Sequence, residues 1–194
     1  MWKKAARWIL AAVVAVLNGT AGAADAGWAK LDKPFGCEVP AKWASLPAKG
    51  LRLVGPDSGS GYKPMLSASF IKEGGEFSSA EDYVRKASGA PPNPGVAGLL
   101  GVKSAPAKAG AEVSSVKISG RSSFRFQTMD QFTREHPRTE AAGAPGNWGP
   151  IPVRHLTVVV PAKKGFWVLR GSGAEKDFEA LLPAFERFFA SVRI

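Results

Sequence analysis

The chain has 194 residues, 45% of them hydrophobic, with one cysteine, two histidines and a formal charge of +10. That is enough apolar residue to bury a core without staples. A lone cysteine excludes an internal disulfide and, with only two histidines beside it, a Cys/His zinc site.

Residues 1–26 read as a signal peptide. Lys3, Lys4 and Arg7 precede an unbroken apolar run from Trp8 to Leu17, and Ala21-x-Ala23 and Ala24-x-Ala26 both fit a signal-peptidase site. A run of ten is too short for a bilayer, which needs about 20 residues, so no transmembrane anchor is expected in the mature chain. Residues 27–194 are expected to form one domain, periplasmic or secreted. Export argues against nucleic acid as the partner of this basic chain; an envelope component, an acidic protein or a weak contact with an anionic surface fits better.

Phe35 to Val39 reads as a first strand and places Cys37 in the core as a buried, inert thiol. Leu51 to Val54 follows, closed by Gly55-Pro56. Leu66, Ala68 and Phe70 alternate with Ser67 and Ser69, the pattern of an antiparallel strand covered on one face. Ser78 and Glu81 have capping-box spacing ahead of Tyr83-Val84 and Ala87, which predicts a helix ending at Gly89. Val113 to Ile118 and Ser123 to Thr128 form an expected hairpin about Gly120. Period two puts Phe124 and Phe126 inward and Arg125 outward.

Arg134 to Pro150 is the longest irregular stretch. It holds Arg134, His136, Arg138 and Trp148 among glycines and prolines, and is the candidate partner-binding loop. Val153 to Val160 is apolar enough for burial on both faces, hence a central strand, with His155 as a satisfied core or edge residue. A five-residue loop, Pro161 to Gly165, should return the chain into Phe166 to Leu169. Phe178, Leu181, Leu182, Phe185, Phe188, Phe189 and Val192 draw one helical stripe. Ser172 and Glu175 have capping-box spacing just before it, and Pro183 predicts a kink or a handover to a second helix. The order of strands, helix, strands and helix points to α+β: a central antiparallel sheet with helices packed on it.

Three stretches resemble the PsbP-like superfamily. They are Phe35-Gly36-Cys37-Glu38-Val39-Pro40-Ala41-Lys42-Trp43; Val116-Lys117-Ile118-Ser119-Gly120-Arg121; and the closing hairpin with Pro183-Ala184-Phe185-Glu186 and Ala190-Ser191-Val192-Arg193. The resemblance implies an α/β/α sandwich and a protein that binds other proteins and is not an enzyme. These are packing residues, so it carries over no catalytic set and no cofactor. The expected function is a non-enzymatic binding or assembly factor that recognises a protein or envelope component. The alternative is an envelope hydrolase with an unrecognised site: Ser172, in Gly171-Ser172-Gly173, follows a strand as a nucleophile elbow does but is better used as a helix cap, and His136 and His155, the only histidine bases, stand in no recognisable motif. The nucleophile-elbow pattern G-x-S-x-G is absent.

Overall fold

The computed structural model describes residues 27–89, 102–103, 111–133 and 149–194. In chain order the elements are β1 (Trp28–Leu31), β2 (Cys37–Pro40), β3 (Ala44–Ser45), β4 (Leu51–Val54), β5 (Met65–Lys72), α1 (Ala80–Gly89), β6 (Val102–Lys103), β7 (Ser114–Ile118), β8 (Arg121–Phe132), β9 (Ile151–Ala162), β10 (Gly165–Ala174) and α2 (Glu175–Ser191). An antiparallel sheet runs in the order β3-β4-β5-β10-β9-β8-β6, with β7 also paired to β8; β1 and β2 form a separate two-stranded ribbon. The fold is α+β, with α2 and the ribbon on one face of the sheet and α1 on the other.

Period two explains the two faces. On β9, Leu156, Val158 and Val160 point to α2, together with Leu66, Leu169, Leu51 and Leu53 of the neighbouring strands. The α2 stripe answers them: Phe178, Leu181, Phe185, Phe188 and Phe189 are all buried, as is Val192 just beyond the helix. Val159, with Phe166, Val168 and Phe126, faces Ala80, Tyr83 and Val84 of α1. A strand covered on both sides is apolar at every position, as Val158-Val159-Val160 is.

Gly171 and Gly173 let α2 lie this close. A Cβ at Gly171 would stand 2.4 Å from the Phe185 ring, and one at Gly173 2.6 Å from Leu181. The glycines that flank Ser172 are therefore a packing device. Cys37 is buried, and burial pushes its thiol up to about 11, which keeps it protonated and unreactive at neutral pH.

Four sequence expectations are corrected. Ser172 does not cap α2: it lies inside β10, the helix begins at Glu175, and the N-cap residue is Ala174 with no side-chain cap bond. The strand outcompetes the cap because β10 pairs with β9 as far as Ala174. Of the two outcomes expected at Pro183, the handover to a second helix does not occur: α2 is one helix, with buried side chains on either side of Pro183 on one face and Pro183 exposed. The β9–β10 connection is two residues, Lys163-Lys164, since Gly165 already pairs with Ala162. Pro161 fits within β9 because β8 pairs with β9 only as far as Val159, and the Pro161 carbonyl beyond it accepts from Arg121 Nη1 instead. The α1 capping box is displaced by one residue. The Asp82 N–H donates to Ser79 Oγ at 3.2 Å, and Asp82 Oδ2 accepts from the Ser78 N–H at 3.1 Å.

Candidate functional site

The α1 face of the sheet is not apolar throughout. Between the Phe166–Val159–Phe126 cluster under α1 and a second cluster of Tyr62, Val153 and Ala174 lies a polar belt across four strands. Register sets its members side by side. Arg170 is opposite Ser67 on β5 and Thr157 on β9; Ser172 is opposite His155, and His155 opposite Thr128 on β8. Asp130 lies two residues further along β8, on the same face as Thr128.

Three of these side chains form a hydrogen-bonded row. Ser172 Oγ is 2.7 Å from His155 Nδ1, and His155 Nε2 is 3.2 Å from Asp130 Oδ2. The buried Tyr62 side chain lies beside Ser172. The His155 side chain is 12% exposed and that of Asp130 17%, while Ser172 as a residue is 3% exposed. A recess of ≈ 20 Å³ lies beside the row, lined by Tyr62, Asp130, Phe132, Val153 and His155. That is room for about one water molecule.

Burial lowers the His155 pKa; the Asp130 hydrogen bond opposes this, the Arg170 charge adds to it, and the net shift is downward. His155 is therefore neutral at pH 7. Burial works to raise Asp130, but the His155 hydrogen bond and the charges of His155 and Arg170 outweigh it and hold the carboxyl below its usual range. Burial pushes the Tyr62 phenol up to about 12, against the Ser172 hydrogen bond and the Arg170 charge, so it stays a donor.

A serine, a histidine and an aspartate in a row suggest acyl transfer, for which the strands around Ser172 supply no oxyanion hole among the described residues. Ser172 sits mid-sheet between β9 and β5. Strand N–H groups lie in the plane of the sheet, so none points at the face where an oxyanion above Oγ would form. The serine is also buried and lies before the strand-to-helix junction instead of on a sharp turn.

Of the histidines read as candidate bases, the fold brings His155 to Ser172. Arg134, His136, Arg138 and Trp148 lie outside the described residues. Sequence reasoning did not find Asp130, Tyr62 or Arg170, because a belt across strands depends on register and a single strand does not reveal it. The one available signal was Thr128-x-Asp130 continuing the alternation of Phe124 and Phe126 beyond the expected strand end. Among the described residues no three His, Cys, Asp or Glu side chains are placed to hold a metal ion, and no helix is long and apolar enough to cross a membrane. At the turn end of the sheet, Lys72, Lys117, Arg121, Lys163 and Lys164 are all exposed.

No protein-family model and no curated protein matches the chain. Solved structures do. The cyanobacterial PsbP (CyanoP) of Synechocystis sp. PCC 6803 is similar at 10% identity, with a TM-score of 0.56 over 92% of this chain and 98% of that one. LpqN of Mycobacterium tuberculosis, described as involved in cell envelope biogenesis, is 17% identical with a TM-score of 0.43, over 80% of this chain and 79% of that one. PA94 of Pseudomonas aeruginosa, a protein of unknown function, is 14% identical with a TM-score of 0.44, over 84% and 93%. The likeness to the cyanobacterial protein is one of fold: this chain has a PsbP-like fold.

Proposed function

Starting from a PsbP-like fold behind an expected signal peptide, we propose that the chain is an exported, non-catalytic binding or assembly factor. It meets a protein or envelope component with the α1 face of its sheet. The observation that carries this reading is the belt itself: a row of polar side chains, several of them partly exposed, on a sheet face whose neighbouring regions are packed core. A partly exposed polar surface between apolar clusters offers both hydrogen bonds and apolar contact, as binding surfaces do.

The second reading is an envelope hydrolase, favoured by the contact between Ser172 and His155. A serine-directed fluorophosphonate separates the two. An activated serine forms a covalent adduct; a structural one does not. The binding reading expects no adduct in the purified chain after prolonged incubation. An adduct that disappears in Ser172→Ala would establish the hydrolase instead.

A further inference from the structure

Arg170 is the residue of the belt that the fold leaves least satisfied. Its Nη2 donates to the Tyr83 hydroxyl at 3.3 Å, but its Nε is buried with no hydrogen-bond partner, and among the described residues it forms no ion pair. Thr157, its direct cross-strand neighbour on the same face, is 0% exposed, and its Oγ1 is likewise buried without a partner. These two atoms are the only buried side-chain polar atoms without a partner among the described residues, and register places their residues opposite each other.

Buried polar groups are nearly always paired, because an unmade hydrogen bond leaves the full desolvation cost standing. A guanidinium needs more than a neutral acceptor; it needs an anion, and it holds carboxylate and phosphate oxygens with its planar fork. Asp130 feels the Arg170 charge but forms no ion pair with it, and its Oδ2 is engaged by His155 Nε2. The residue that Arg170 bonds and the two that face it across the ladder carry hydroxyls: Tyr83, Thr157, and Ser67 across β5. Hydroxyls donate to an oxyanion but do not neutralise the cation.

We infer that Arg170, with the hydroxyls of Thr157 and Tyr83, forms an oxyanion subsite that takes a carboxylate or phosphate group of the ligand. The oxyanion accepts from Arg170 Nε and Thr157 Oγ1, two buried donors without a partner, and its entry must displace the side chains that cover them. This deepens the binding reading and rests on it.

Thermal unfolding of the purified chain tests it, in matched ionic strengths of sodium chloride, sodium acetate and sodium phosphate. One of the two oxyanions should raise Tm beyond chloride, saturably. The rise should be about 2–4 °C at roughly five times the dissociation constant, because a ligand that binds only the folded state stabilises by mass action. Acetate or phosphate as the active salt tells which group the ligand carries. The shift should vanish in Arg170→Gln. If that variant does not fold, Thr157→Val keeps the charge and the shape and should weaken the anion several-fold. A Tm no higher in either oxyanion than in chloride, or a shift that survives Arg170→Gln or is unchanged in Thr157→Val, overturns the subsite. The two readings fail separately. Phosphonate labelling of Ser172 removes the binding reading whatever the anions do; a silent titration with Ser172 unlabelled removes the subsite alone.

Discussion

The order of protons along Ser172, His155 and Asp130 follows from which atoms can donate. Asp130 has no proton to give, so His155 must carry its proton on Nε2 and accept at Nδ1 from Ser172. Ser172→Ala would leave His155 Nδ1 without a donor. It should cost about 1–3 kcal/mol, read as a lower urea midpoint at unchanged m-value; a change below about 0.5 kcal/mol would show that the row is not formed. His155 also sets a pH dependence. Its folded pKa is depressed below the ordinary 6.5, so the unfolded chain takes up the proton first as pH falls. Stability should be flat above pH 7 and decline from about pH 6.5 downward, by no more than about 1.4 kcal/mol per pH unit from this group. His155→Gln should flatten that decline in a Tm-against-pH series, and an unchanged profile would contradict the assignment.

Elements meet at β10 and α2, where the strand turns straight into the helix and the helix lies back over its neighbours. Gly171 is the contact that fixes their separation. Gly171→Ala should destabilise by about 1–3 kcal/mol, because the methyl has no free space and the backbone or the Phe185 ring must move. Phe185 is 0% exposed and packs edge-on to Trp43 with ring centroids 6.5 Å apart, so Phe185→Ala should cost about 3–5 kcal/mol through the cavity it leaves. Pro183 predicts the opposite sign. It is exposed inside a continuous helix, so Pro183→Ala should raise Tm by restoring an N–H donor; a fall in Tm would mean the ring itself packs. The stripe of α2 was legible because its phenylalanines and leucines recur at helical spacing, which gathers them on one side of a helix and would scatter them over both sides of a strand. The role of Gly171-Ser172-Gly173 was not. Cap chemistry and strand packing favour the same small residues, and only the ladder with β9 decides between them.

The whole molecule is a sheet with two unequal faces. One is closed by α2 and the β1–β2 ribbon; the other is covered by α1 over part of its area and carries the polar belt over the rest. Alternation along β5 exposed the sheet and its antiparallel sense to sequence reading, and the unbroken apolar run of β9 exposed the central place of Val158-Val159-Val160. The belt stayed hidden because its residues come from β5, β8, β9 and β10, and only pairing brings Ser67, Arg170, Thr157, His155 and Asp130 onto one patch. β1 was missed for a related reason: Trp28 to Leu31 is a strand by virtue of its partner β2, with the Trp28 ring held 4.2 Å beneath the Arg187 guanidinium. The hairpin about Gly120 was read in the right place but its turn, like that between β9 and β10, was read too long: Ser119-Gly120, both at positive φ, close it in two residues. The central claim is that the partly exposed α1 face is the recognition surface. Residue-resolved amide NMR of the chain titrated with acetate and with phosphate tests it most directly. The account predicts saturable shifts clustered at Ser67, Thr157, Arg170 and Ser172; shifts confined to Lys72, Arg121, Lys163 and Lys164 at the turn end, or no saturable shifts at all, would contradict it.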